Sequence, residues 1–403
     1  MKYAVILGDG MADWKIPELN DKTCLEAAKT PILDKLAPLS EVGLCKTVPD
    51  GLKPGSDVAN MSVLGFDPLK YYTGRSPIEA VSMGIKLKDT DVTLRCNLVT
   101  LSDDEPYENK TMVDYSAGEI TTEEAGELIA FLKKNIDSEN LKLFAGISYR
   151  HCLVIENGAT GHKLTPPHDI TGKKITEYLP EGKCGHEYLD LMKKSFELLK
   201  NHPVNLKRKR EGKNPANSIW LWGEGTKPAL ANFEKEKKLK GGIISAVDLV
   251  RGIGMLAGME IIEVEGITGN YDTNFTGKAE AAAEFLLSGR DFVYIHMEAP
   301  DECGHHGDFK HKVCSIEKID GVVKTLTEKL DKAGEDFAIL VCPDHPTPCE
   351  IKTHISDPIP YLLYSNVKNL SNGAKRYTED EAKATGEYLT TGYKLIDKLI
   401  SIK

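Results

Sequence analysis

The chain has 403 residues, 41% hydrophobic and 28% charged, enough apolar side chain for one large core or two. Lys and Arg number 51 against 61 Asp and Glu, a formal charge of −10 that argues against general nucleic-acid binding. Nine Cys are scattered from Cys24 to Cys349 without a C-x-x-C pair, and no apolar run suits a signal h-region or a bilayer span, so the expected setting is a reducing cytoplasm.

In chain order, "KYAVILGDG" at Lys2 reads as a buried parallel strand that stops at Asp9 in a Gly-bounded loop. "PDGLKPGSDVANMSVLGFDP" at Pro49 breaks the chain at Pro54-Gly55, then places Ser56 and Asp57 before apolar residues at near-helical spacing. Ser56 there is either a helix N-cap or a nucleophile at the positive end of a helix. "VTLRCNLVTL", a helix near Thr121 to Asn135, "ISYRHCLVIENG" and an amphipathic helix near His186 to Asn201 predict a smaller α+β unit. "HPVNLKRKREGKNP" reads as a connector with Lys207 to Arg210 as its solvated face, and "SIWLWGEG" as a return to the main sheet. Helices over Gly277 to Leu287 and Ser315 to Lys332 then separate "DFVYIHMEAPDE" from "DFAILVCPDH", and "IPYLLYS" follows as a further apolar run.

Strands alternating with helices imply an α/β fold with a mainly parallel sheet sandwiched by helices, and ligands gather at the carboxyl ends of such strands. The expected division is a discontinuous core, 1–84 and 206–403, and an inserted unit with its connector, 85–205. Asp9, Asp301 and Asp344 would all meet at one sheet edge, with His305, His345 and His354 close by in sequence. Carboxylates collected there repel one another unless cations neutralise them, and an Asp/His donor set suits Mn²⁺, Zn²⁺ or Mg²⁺. His306 reads as a supporting group, Asp308 and His311 as solvent-facing, and Cys303 as a space-filler. Beside paired cations, the Ser56 hydroxyl becomes a nucleophile rather than only a cap.

The stretches "ILGDGMAD", "PGSDVANMSVLGFDP", "GRSPIEA", "VEGITGNYDTNFTGKAEAA", "APDECGHHGD" and "PDHPTP" together resemble the cofactor-independent phosphoglycerate mutases, archaeal-type branch, in the alkaline phosphatase superfamily. The resemblance implies an alkaline phosphatase-like core with a smaller inserted α+β domain acting as a substrate-binding lid. It implies interconversion of 3-phosphoglycerate and 2-phosphoglycerate through phospho-Ser56, with Asp301, His305 and His354 on one divalent cation and Asp9, Ser56, Asp344 and His345 on the other. Mn²⁺ stands first, with Mg²⁺, Zn²⁺ and Co²⁺ as alternatives. A substrate bearing carboxylate and phosphate calls for basic donors, for which Arg75, Arg95, Arg150 and Arg251 are candidates; His151, His168 and Asp169 could position glycerate or move protons.

Rivals remain open at this stage. A homoserine kinase-like phosphotransferase or a metal-dependent phosphomonoesterase could use the same residues, and a metal-stabilised binding protein would use them without chemistry. No P-loop is present, and "GIGMLA" after Arg251 reads as helix packing rather than a dinucleotide fingerprint. The expected partner is a small phosphorylated acid, with no nucleic acid and no membrane; the sequence is silent on oligomeric state.

Overall fold

The computed structural model describes residues 1–403. Chain contacts divide it into two units, Met1–Tyr72 with Leu230–Lys403, and Thr73–Ala229. The strands in chain order are β1 (Lys2–Gly8), β2 (Glu41–Cys45), β3 (Val92–Leu101), β4 (Met112–Asp114), β5 (Leu141–Phe144), β6 (Arg150–Ile155), β7 (Ser218–Thr226), β8 (Gly241–Ile244), β9 (Glu260–Ile261), β10 (Phe292–Met297), β11 (Phe337–Cys342), β12 (Ile359–Ser365) and β13 (Tyr388–Leu389).

The first unit is built on an eight-stranded sheet ordered β13-β2-β12-β11-β1-β10-β8-β9. Its centre is parallel: β1 pairs in parallel with both β10 and β11, and β10 with β8. β12 runs antiparallel to β11 and β2, so "IPYLLYS" is a strand but not a repeat of the parallel pattern. A parallel return needs a crossover helix, and between β11 and β12 the chain makes only a loop. The central strands are buried along their whole length, which is why they read as continuous apolar runs. Helices Phe275–Leu287 and Phe309–Ala333 cover the sheet, with Ala282, Leu286, Ile319, Val323 and Leu326 packed among Ile6, Ile295 and Ile339. Each fully buried Leu or Ile contributes about 1.5–3 kcal/mol before entropy is counted. The second helix starts earlier than the apolar spacing predicts, because the Asp308 side chain caps it by accepting the His311 N–H.

The second unit holds a five-stranded sheet in which β3 pairs antiparallel with β4, β6 and β7, and β6 with β5. Helices Thr122–Ile136 and Gly185–Leu199 supply Leu128, Leu132, Met192 and Phe196 to a core shared with Leu94, Leu98 and Trp220. Two sequence expectations change here. "SIWLWGEG" does not rejoin the main sheet; it is β7, the long antiparallel partner of β3. An apolar run announces a strand, but only pairing decides its sheet. The expected connector is a helix, Pro203–Arg210, and its basic run is not wholly solvated. Arg208 is buried, donating to Glu124 Oε2 and to the carbonyls of Ala117 and Asn214, so one member of a charge run serves as an internal tie. "GIGMLA" lies in the helix Asp248–Leu256 as packing glycines predict. No helix is long and apolar enough to cross a membrane.

Candidate active site

Gly8 of β1 sits opposite Met297 of β10, and Leu7 opposite Cys342 of β11, so three parallel strands end along one line. Asp9, Asp301 and Asp344 lie just beyond it, on the loop after β1, the helix Ala299–His306 after β10, and the loop after β11. All three are buried. The glycine of "GDG" has a steric cause: Gly10 is left-handed (φ 60°), and a Cβ there would come within 2.5 Å of Asp301 Oδ1. Its N–H instead donates to Asp344 Oδ1 at 3.1 Å.

Ser56 opens the helix Ser56–Val63. Gly55 holds the N-cap position and no side chain caps the helix, so Ser56 is not a cap. Its hydroxyl lies 3.1 Å from His345 Nε2. The same nitrogen is 3.6 Å from Asp9 Oδ1 and 3.4 Å from Asp344 Oδ2. Asp301, His305 and His354 form a second group: His305 Nε2 is 3.3 Å from Asp301 Oδ2, His354 Nε2 is 3.4 Å from Asp301 Oδ1, and the two imidazole nitrogens are 2.8 Å apart. Two triads, Asp301 with His305 and His354, and Asp9 with Asp301 and His345, each bring their donor atoms within 4.8 Å.

These residues fit divalent cations. Asp9 Oδ1 is buried with no hydrogen-bond partner. His305 Nδ1 faces the Lys352 carbonyl at 3.0 Å, which only accepts, so one proton is fixed there and Nε2 is the nitrogen that would face a cation. Thr347 Oγ1 donates to Asp301 Oδ1 at 2.5 Å and therefore accepts from His345 Nδ1 at 3.2 Å, which turns the His345 Nε2 lone pair toward Asp9, Asp344 and Ser56. The electrostatics agree. Burial, with Asp344, Asp301 and Glu298 nearby, holds the Asp9 carboxyl well above its ordinary range. Burial also pushes Asp301 up, but its contacts with His305 and His354 prevail and hold it well below. Contact with Asp301 lifts His305 to about 9. Asp9 and His305 thus keep protons that a cation would displace, while Asp301 is already ionised.

Several supporting residues escape a reading of the sequence. Asn60 donates to Asp344 Oδ2 at 2.7 Å and to the Ser56 carbonyl at 2.9 Å, and itself accepts from Tyr294 OH at 2.7 Å. His296 Nε2 is 2.8 Å from Asp9 Oδ2. Lys312, fully buried, donates to Asp13 Oδ2 and to the carbonyls of Ala12 and Thr347, tying the loop after β1 to the loop after β11. The available signal for Tyr294 and His296 is two polar residues, two apart, inside an otherwise apolar strand. Of the flanking residues, His306 is exposed, Asp308 caps a helix, and His311 is exposed and stacks on Tyr271 with ring centroids 4.3 Å apart. Cys303 is buried.

In the second unit, Arg75 and Arg95 converge on one carboxylate. Arg75 Nε donates to Glu79 Oε1 at 2.7 Å and Arg95 Nε contacts Glu79 Oε2 at 2.9 Å. Arg95 also lies over the Trp222 ring at 4.1 Å, and burial lowers it to about 10. Burial alone would raise Glu79, but Arg95, Arg75 and Arg150 together hold it below its ordinary range. His168 meets Trp222 edge-on at 5.3 Å, and Asp169 is exposed beside it. His151 is buried elsewhere on β6: its Nδ1 accepts from Gly146 N–H at 3.1 Å, its Nε2 has no partner, and burial lowers it to about 3. Arg251 lies in the first unit and makes a two-pronged bond to Glu263, 2.9 and 2.5 Å.

Comparison with known proteins places these observations in a family. Residues 37–205 match the family model described as 2,3-bisphosphoglycerate-independent phosphoglycerate mutase. The chain is 50% identical over 405 residues to the protein of that name from Methanosarcina barkeri, covering all of both chains. It is 34% identical to the one from Pyrococcus furiosus, covering all of this chain and 97% of that one. Among solved structures, a Pyrococcus horikoshii protein superposes with a TM-score of 0.82 at 31% identity, over 99% of this chain and 96% of that one. The cofactor-independent phosphoglycerate mutase of Thermoplasma acidophilum shares the fold, with a TM-score of 0.66 at 24% identity over the full length of both.

Proposed function

The chain belongs to the 2,3-bisphosphoglycerate-independent phosphoglycerate mutases, enzymes that interconvert 3-phosphoglycerate and 2-phosphoglycerate, and we propose that it works through a phosphoserine at Ser56 beside two divalent cations. The observation that supports this most is the Ser56 hydroxyl 3.1 Å from His345 Nε2, on an uncapped helix start, beside two triads of Asp and His donors, one wholly and one partly buried.

Asp301, His305 and His354 would hold one cation, and Asp9, Asp344 and His345, with Ser56, the other. Bound there, cations lower the pKa of a hydroxyl and offset charge on a transferring phosphoryl group. Mn²⁺ is the first candidate, with Mg²⁺, Zn²⁺ and Co²⁺ behind it. Ser56 Oγ attacks the phosphorus of 3-phosphoglycerate; the Oγ–P bond forms as the bond from phosphorus to the C3 oxygen breaks. The serine proton passes, in net terms, to that C3 oxygen. The C2 hydroxyl of the retained glycerate then attacks phospho-Ser56, releasing 2-phosphoglycerate and returning a proton to Ser56. The helix start favours the negative charge on Oγ and on the phosphoryl oxygens. Asn60, bonded to both the Ser56 carbonyl and Asp344, keeps the nucleophile in register with the acids.

The inserted unit would recognise the substrate and retain glycerate. Arg75, Arg95 and Arg150 would meet the substrate's anionic groups, with His168 and Asp169 ordering its hydroxyls, and His151 and Arg251 the remaining candidates. Closure of such a unit would exclude water, which otherwise turns the enzyme into a phosphatase. The test is rapid quench with ³²P-labelled 3-phosphoglycerate. Acid-stable label should appear on the protein within one turnover, vanish in Ser56→Ala, and leave as 2-phosphoglycerate. Release of free phosphate alone, or a requirement for ATP, would overturn the mutase assignment.

A further inference from the structure

All six side chains of β10, Phe-Val-Tyr-Ile-His-Met, are buried. A histidine in such a strand needs a partner at each ring nitrogen, or it strands a polar atom at a cost of about 1–3 kcal/mol. His296 has both partners. Nδ1 lies 3.1 Å from Ser245 Oγ, and Nε2 lies 2.8 Å from Asp9 Oδ2. Ser245 directly follows β8, the strand beside β10. Its oxygen already accepts the Val247 N–H at 3.0 Å, and of the two acceptors within reach of its own proton, His296 Nδ1 at 3.1 Å is nearer than the Val247 carbonyl at 3.5 Å, so the proton goes to Nδ1. A neutral imidazole whose Nδ1 accepts from Ser245 carries its proton on Nε2, facing Asp9 Oδ2. Lys278 Nζ donates to the His296 carbonyl at 2.8 Å and pins the backbone as well.

We propose that His296, fixed by Ser245, is a positioning residue that dictates which oxygen of Asp9 is presented to a cation. It occupies Oδ2. It leaves Oδ1 unbonded, 3.6 Å from the His345 Nε2 that also lies 3.1 Å from Ser56 Oγ. One oxygen thus has a permanent partner while the other points into the group. His296 is not itself a ligand, since both its nitrogens are engaged. Without the imidazole, Asp9 can rotate about its Cβ–Cγ bond, and Oδ1 loses its fixed direction. Groups that orient a ligand in this way change metal affinity by about 10–100-fold when removed. The inference rests on the reading of Asp9 as part of a cation site.

Co²⁺ is the probe, because its visible absorption reports the geometry of its ligands. Metal-free wild-type protein, His296→Leu, His296→Gln and Ser245→Ala are titrated with Co²⁺, and the melting of each metal-free protein is recorded alongside. His296→Leu should bind Co²⁺ about 10–100-fold more weakly and change the visible band. His296→Gln, whose amide N–H still reaches toward Asp9, should keep most of the affinity and the wild-type spectrum. Ser245→Ala should show a smaller loss of the same kind with unchanged metal-free melting, and it carries the test alone if His296→Leu does not fold. Wild-type affinity and spectrum in His296→Leu and Ser245→Ala would overturn the proposal, as would a glutamine variant as impaired as the leucine one. Wild-type protein that binds no Co²⁺ would instead sink the cation site itself, a result distinct from variants that all bind alike.

Discussion

The two charged clusters of this molecule solve opposite problems. At the sheet edge, Asp9, Asp301 and Asp344 are buried together with no Lys or Arg bonded to them, only imidazole, amide, hydroxyl and backbone groups. In the second unit, three arginines surround Glu79, so the cluster has more positive than negative charge. The first arrangement suits the proposed cations, and the second neutralises its carboxylate from within the chain. Buried like charge calls for a counter-charge, whereas a carboxylate ringed by arginines has its own.

That contrast can be broken or sharpened in four ways. The largest effect is expected from Ser56→Ala: turnover should fall by about 10⁶-fold, the scale seen when a nucleophile is removed, while metal is largely retained. Residual turnover above a hundredth of wild type would detach Ser56 from the acids around it. Next comes chelation. Stripping cations should abolish turnover and lower the melting midpoint, since a ligand at 100 times its Kd stabilises by about 2.7 kcal/mol. Adding Mn²⁺ back should restore both. Hydrogen exchange should show the loss of protection around β1, β10 and β11, with the second unit unchanged; a uniform loss would erase the contrast.

Glu79→Gln should then destabilise the second unit by about 2 kcal/mol, because the arginines lose their common partner in a largely desolvated place. KM for 3-phosphoglycerate should rise about tenfold with kcat less affected, measured by steady-state kinetics beside a melting curve. At neutral pH the smallest effect is expected at His151, whose contribution shows only in acid. Burial lowers it from the usual 6.5 to about 3. Between those values the unfolded chain binds a proton that the folded chain does not. The stability it contributes is therefore complete above pH 6.5 and drains away as pH falls toward 3, by at most about 1.4 kcal/mol per pH unit. His151→Leu should flatten the acid limb of the urea midpoint measured against pH; an unchanged slope would show that another group governs it.

Much of the site is legible because its chemistry sits where strands stop. An apolar run followed by Asp, three times over, announces parallel strands ending at one edge, and Ser56 stands out behind Pro54-Gly55. The same habit of reading apolar runs hides Tyr294 and His296, which look like strand filler until the facing strands are known. It also sends "SIWLWGEG" to the wrong sheet, since alternation specifies a face and not a partner. The basic run ending at Arg210 looks uniformly solvated because charge patterns carry no depth; Arg208 differs from its neighbours in the carbonyls and the Glu124 carboxylate that folding brings to it.

By itself, then, the order of residues determined the α/β class, the strand ends and the candidate donors beyond them, because periodicity and chain punctuation act over a few neighbouring positions. Only the tertiary structure decided which oxygen of Asp9 is held and which is left open, how Asn60 joins Ser56 to Asp344, and where Lys312 ties two loops. Those are contacts between groups as far apart as residues 9 and 296 or 13 and 312, and hydrogen-bond direction across such distances exists only once strands and helices have packed.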